Sequence, residues 1–439
     1  MADFLWQKPG TRIDERIMRF MAGADVELDR HLFLYDIRAS RVHAAGLARI
    51  GVLSEAEASA ICAELDRLAT CFEDGDFVLD QRFEDGHSAL EAWLTEHLGD
   101  IGKKVHTGRS RNDQVLVASR LLLRDSLGTL VDSCEQTASA CLEQAHRYGD
   151  TPMPGYTHLQ RAVVSSVATW FAAFAESFID NGRLAVDCTR WIDANPLGTA
   201  AGFGVNLPLD RAFATSELEF SRIQINPIYA QNSRGKFELQ VLTVLAQALL
   251  DVRRYAWDLS LFTTAEFGFV SLPDAFTTGS SIMPNKRNPD LVELLRASYP
   301  VVQGAMTELQ SLLSLPSGYH RDLQNTKGPL IRALVHGLDA MALMPDLVRG
   351  TQFINERLEA ALEPSMYATD RAIEMTASGI PFREAYRRVR EDYDSLAECT
   401  AAGSIAARVS PGAPGDLQLG VLGERLEALR NSRRSGTPA

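Results

Sequence analysis

The sequence predicts an all-α protein built around an elongated bundle of long helices. Three observations lead there. Apolar residues recur at helical spacing over long, proline-poor stretches in the middle of the chain. Short segments rich in glycine, proline and polar residues separate those stretches. Strand signals are weak throughout.

Taken in order, residues up to about 105 read as a smaller helical unit. A long helix is predicted over 113–148. The next, over 160–193, contains no proline and one glycine, and places Val163, Val167, Trp170, Phe171, Phe174 and Phe178 on a broad apolar face. A third covers 237–262. A fourth, over 291–315, carries Leu291, Leu295, Val302, Met306, Leu309 and Leu313, with a kink expected at Pro300. Some of these helices are apolar nearly all round, so burial on several sides is expected, and subunit association would supply it. From about residue 350 a further helical unit follows, containing SMYATDRAIEMTASGIPFREAYRRV. The tail NSRRSGTPA is polar and expected to be disordered. No internal repeat is present.

With 439 residues, two or three structural units are expected. The hydrophobic share of 46% and charged share of 23% are those of ordinary soluble proteins. The formal net charge of −13 argues against nucleic-acid binding but not against an anionic small molecule, because local cations can oppose the global charge. Cys62, Cys71, Cys134, Cys141, Cys188 and Cys399 form no CxxC pair and read as reduced core thiols. MADFLWQKPGTRIDER has no apolar h-region, and no run of eighteen apolar residues exists, so no membrane partner is expected and a cytoplasmic location is.

The polar loops carry the chemistry. Lys103, Lys104, Arg109, Arg111, Arg234, Lys286, Arg287, Arg321 and Lys327 all fall in them. If those loops converge they form a positive pocket suited to a small polycarboxylate; otherwise they are simply charged surface. The segment GSSIMPNKRNPD, 279–290, combines two serines with a lysine and restricted backbone, and Asn288 or Asp290 is placed to cap the helix that follows. A serine hydroxyl is a poor base unless its alkoxide is stabilised, which Lys286, backbone N–H groups and a loop closing over substrate would do. No GxSxG elbow is present. His158, in GYTHLQ, is placed for acid–base work, although a loop histidine is as readily a hydrogen-bonding surface residue. His106 and His87 share that ambiguity. There is no HExxH, no His/Cys cluster at ligand spacing and no P-loop, so neither a metal nor a nucleotide is expected.

GSSIMPNKRNPD resembles the signature loop of the fumarase/aspartase superfamily, GSSxMPxKxNP. HTGRSRNDQ, PGYTHLQRA and GYHRDLQNTK are more particular, and together resemble the argininosuccinate lyase family; SMYATD adds a C-terminal element. The match runs from LDRHLF, 28–33, to PFREAY, 381–386. The resemblance implies three helical domains, at 1–110, 111–350 and 351–439. It implies a homotetramer with a twenty-helix core, each active site shared by three subunits, and reversible cleavage of argininosuccinate to arginine and fumarate without a cofactor. Carried over residue by residue, Ser280 matches the base that takes a proton from the succinyl carbon, and His158 the acid–base histidine. Lys286 and Asn288 match groups that steady the resulting dianion. Asn112, Thr157, Tyr319, Gln324 and Lys327 match substrate-binding positions. His87, Arg111 and Arg234 match pocket-lining positions, and Ser281 stands beside the base. Proton loss beside a carboxylate creates an aci-carboxylate, so donors that act only on that charge matter most, at roughly 3–4 kcal/mol each.

The chain departs from the family pattern at Asp25, usually serine, where an acid repels a carboxylate and attracts an amine or guanidinium. NSRGK keeps Arg234 but lacks the usual acids; TAAGFGVNLPLDR, His320 and Gly86 also differ. Two other readings compete: a superfamily lyase acting on another N-substituted aspartate, and an inactive structural protein of the crystallin type.

Overall fold

The computed structural model describes residues 15–393 and 396–434. Five long helices dominate: Arg111–Tyr148, Val167–Ile192, Lys236–Phe262, Asp290–Leu312 and Lys327–Gly350. Four match the predicted stretches. The fifth was not predicted; Pro345 lies inside it. Pro300 lies inside Asp290–Leu312 in the same way.

Two expectations fail. Residues 151–160 are not a loop, and the second helix does not begin at 160. Pro152–Thr157 and Gln160–Ser166 form an antiparallel hairpin, and the helix starts at Val167. Two prolines and a glycine in PMPGYT hide the strand pattern. The polar tail also begins too early in the prediction, because Asn431–Arg434 closes the helix Leu419–Arg434. Leu422, Leu426 and Leu429, buried at helical spacing, hold that helix. Residues 435–439 lie outside the described residues.

The chain divides into two compact units. The first comprises residues 1–126, 188–242 and 305–333. Its core packs Phe33, Leu47, Ile61, Leu65, Leu68, Leu90 and Leu94 from the helices Phe33–Arg49, Glu55–Glu73 and Gly86–Leu98. Two of those helices start on capping boxes, Ser54 with Glu57 and Asp85 with Ser88. A second cluster joins Val117 and Leu121 to Leu197, Leu218 and Phe220, beside a short parallel pairing of 194–195 with 222–223.

The second unit comprises residues 127–187, 243–304 and 334–439. Its centre is aromatic. Trp170 contacts Phe171, Phe174, Tyr255, Phe262 and Phe353, its indole N–H donates to Asp258, and Tyr255 pairs with the Thr351 hydroxyl. Val164 of the hairpin packs with Met366, Tyr367 and Ile405. No helix among the described residues is long and apolar enough to cross a membrane.

Candidate active site

In the first unit, one cavity of about 220 Å³ gathers His87, Arg111, Asn112, Arg234, Tyr319, Gln324 and Lys327. These are all the candidate residues that fall in that unit, drawn from four segments far apart in sequence. Asp25, Glu84, Asp85, Val115 and Arg321 complete the lining.

The cavity wall is held by buried acids. The His87 ring places Nδ1 2.6 Å from Asp36, a carboxylate that is 2% exposed. Gln114 donates to the other Asp36 oxygen, and Ser40, which accepts from Arg109, lies beside it. Burial works against a charged imidazole, but the carboxylates of Asp36, Asp85 and Asp29 outweigh it, and the His87 pKa is raised. Asp36 is lowered: burial pushes it up, and the His87 charge and hydrogen bond, with Arg109, win. The charged form of His87 is therefore favoured, and its Nδ1 is already committed to Asp36. His106 is the opposite case. Burial, then Arg109 and Arg111, push it down to about 4, so it is neutral near pH 7.

A measurable pH dependence follows. A pKa raised on folding contributes stability that is complete below the ordinary value of about 6.5 and is lost as the pH rises through the raised value. Across that window the thermal midpoint of the wild type should fall relative to that of His87→Gln. Parallel calorimetric profiles would show that His87 does not titrate with folding.

Lys327 is tied more tightly still. Its Nζ lies 2.7 Å from Asp25 and 2.6 Å from Asp29, and burial of the amine is outweighed by both acids, so its pKa is raised. Asp29 also accepts the Gly86 N–H at 2.8 Å. A Cβ at Gly86, one of the departures from the family pattern, would meet Asp29 and Phe33 carbons at 3.3 Å, a tight contact. Arg111 pairs with Glu84 and Asp85, each at 3.0 Å. Gln324 and Arg321 both donate to the Met21 carbonyl, which ties this segment to the start of the chain. Asn232 accepts the Gly318 N–H, so the NSRGK segment braces Tyr319's loop. His320 is outside the lining.

The expected pool of loop cations is only partly realised. Lys103 and Lys104 pair with Asp100 and Glu57, and Arg109 is buried behind the wall. Arg287 braces its own loop through Thr277, Leu272 and Asp274. Sequence reasoning also missed Asp29, Asp36, Glu84 and Asp85. The signal available was FEDGHS, with two acids and a glycine before a histidine at a helix start.

Thr157, His158, Ser280, Ser281, Lys286 and Asn288 belong to the second unit and do not line this cavity. Thr157 and Gln160 pair, leaving His158 and Leu159 as a two-residue turn with φ of 54° and 58°. Both central residues of such a hairpin turn are left-handed, which suits Asn-Gly and strains His-Leu. Leu159→Gly should therefore raise stability by about 0.5–1 kcal/mol, read from a denaturation midpoint; an unchanged or lower midpoint would deny the strain.

The GSS segment is a second small hairpin. Thr278–Gly279 pairs with Arg287–Asn288, and Ser280 opens the loop between them. Ser280 Oγ accepts the N–H groups of Met283, at 3.1 Å, and Ile282, at 3.4 Å. Donors of that kind favour an oxyanion at this oxygen. Residues 281–287 are exposed. Asp290 accepts the Thr278 hydroxyl and is itself the first residue of its helix.

A family model described as a lyase matches residues 14–304. The chain is 55% identical over 431 residues to the argininosuccinate lyase of Xanthomonas oryzae pv. oryzae, covering 98% of this chain and 100% of that protein. It is similar in fold to EDDS lyase in complex with formate, with a TM-score of 0.78 and 23% identity over 97% of this chain and 92% of that one. It is also similar to the class II fumarase of Schistosoma mansoni, with a TM-score of 0.70 and 16% identity over 87% and 93% of the two chains. At those identities the two structures speak for the fold alone.

Proposed function

The chain belongs to the lyase family that includes the argininosuccinate lyases, and on that premise we propose that it cleaves argininosuccinate to L-arginine and fumarate. The observation that carries the reading from family to substrate is the single cavity holding all seven first-unit residues expected to bind it. A substrate with three carboxylates and a guanidino group needs both signs of charge at close range, and this wall offers both.

Ser280 takes the proton from the succinyl carbon. The electron pair forms the carbon–carbon double bond as the bond to the guanidino nitrogen breaks, and that nitrogen gains a proton with help from His158. Lys286 and Asn288 face the carboxylate while it carries the extra charge. The balance needs no oxidant, reductant or added group. Thr157, Asn112, Tyr319, Gln324, Lys327, Arg111, His87, Arg234 and Ser281 position the substrate.

The second-unit residues reach the cavity from neighbouring copies in a homotetramer of three-domain chains, and the enzyme works in the cytoplasm as the last step of arginine synthesis. The division of the two residue groups between different units of one chain supports the reading of a shared site. The deciding experiment is to mix purified protein with argininosuccinate and follow fumarate by ultraviolet absorbance and arginine by chromatography. Equal amounts of both are expected. No product would move the reading to another N-substituted aspartate. Sedimentation should give a particle of four 48.3 kDa chains.

A further inference from the structure

The second unit holds a cavity that the proposed reaction does not use. It measures about 500 Å³ and is lined by the hairpin 152–166, the helices Val167–Ile192 and Lys236–Phe262, and Phe267. A volume of that size suits a small organic molecule. One wall is a run of four rings. Tyr156 meets Phe267 at 5.7 Å between centroids, Phe267 meets Phe262 at 6.5 Å, and Phe262 meets Trp170 at 5.9 Å. Beside Trp170 stands Asp258, the only charged residue among the described residues of the lining.

A carboxylate is badly placed there in three respects. It is half-buried among aromatic rings, and burial raises its pKa, opposed by the Trp170 N–H and by no cation. It lies one turn from the C-terminus of the helix Lys236–Phe262, the end at which the dipole disfavours negative charge, and the last turn carries no basic residue. Trp170 donates to one Asp258 oxygen at 2.8 Å, and among the described residues the other oxygen has no hydrogen-bond partner. The indole N–H needs an acceptor, but a neutral oxygen would serve it as well. That bond accounts for an acceptor at position 258 and not for its charge.

We propose that this cavity is a binding site for a small primary amine with an apolar body: the ammonium bonds the open oxygen of Asp258 beside Trp170, and the body lies along Phe262, Phe267 and Tyr156. An ammonium supplies the positive charge that the acid lacks, and the neighbouring rings favour a cation. An anion would be repelled by Asp258, and a neutral molecule would leave its charge unopposed. Every lining residue belongs to the second unit, so the site goes beyond the lyase reading and does not depend on it.

The test titrates the purified protein with 2-phenylethylammonium by calorimetry, with 2-phenylethanol and 3-phenylpropionate as neutral and anionic counterparts. One amine per chain is expected, bound at least about tenfold more tightly than either counterpart. Asp258→Asn keeps an oxygen for the Trp170 N–H and removes the charge. It should cost the amine at least about tenfold in affinity and erase its preference over the alcohol. Ala173, also in the lining, gives a second variant: Ala173→Phe fills the cavity and should abolish binding. No binding of the amine by the wild type overturns the proposal, as does equal binding of amine and alcohol, or full affinity in folded Asp258→Asn. If Asp258→Asn does not fold, Ala173→Phe decides, and undiminished amine binding there is the overturning result.

Discussion

Ser280→Ala is expected to lower kcat for fumarate release by about a hundred- to ten-thousandfold, with little change in KM. The reason lies in the hairpin tip. Ser280 Oγ already accepts two backbone N–H groups, so the oxygen is prepared for negative charge before substrate arrives. Ser281, one residue on, is exposed and holds no such bonds among the described residues. Ser281→Ala should therefore be far milder. Steady-state kinetics of the two variants side by side distinguish them, and a larger loss at Ser281 would transfer the base to that residue.

Lys327→Met is expected to destabilise the protein by about 3–5 kcal/mol at pH 8. Methionine matches the length of lysine but leaves Asp25 and Asp29 buried without their common cation. Asp25 has a raised pKa even with Lys327 present, because burial outweighs the ammonium and Asp29 adds to it. A group raised on folding contributes stability at low pH that is lost as the pH rises through its folded pKa. The deficit of Lys327→Met should accordingly shrink toward pH 5, and Asp25→Asn added to it should restore part of the loss at pH 8. Thermal midpoints of the three proteins at the two pH values are the measurement. A single variant as stable as wild type at pH 8 would deny that the triad is a buried, coupled unit.

Much of the bundle was legible because a helix repeats its apolar face every few residues, and Val167, Phe171, Phe174 and Phe178 announce that face locally. The hairpin at 152–166 was not legible, since prolines and a glycine interrupt its alternation and tertiary packing of Val164 decides it. The helix Lys327–Gly350 was obscured by Pro345. The candidate site divides along the same line. Residues in continuous motifs, such as Asn112, Tyr319 and Lys327, were found through those motifs. Asp29 and Asp36 were not, because each acts on a side chain distant in sequence: Asp29 lies 298 residues from Lys327, and Asp36 lies 51 from His87. Charge alone misled in the other direction, grouping Arg287 and Lys103 with the cavity cations although both serve their own loops.

Asp113 carries a consequence for heredity. It is wholly buried, and its two oxygens accept the N–H groups of Ser110, Gly198 and Ala200. One carboxylate thus fastens the turn that presents Asn112 to the glycine-rich segment that follows the helix Val167–Ile192. Even asparagine, the smallest available change, would turn an NH₂ group toward one of those donors. An allele at this codon would behave as a loss of enzyme although it alters no group that meets substrate. A genetic screen would map it among catalytic lesions, and only its loss of stability would tell it apart.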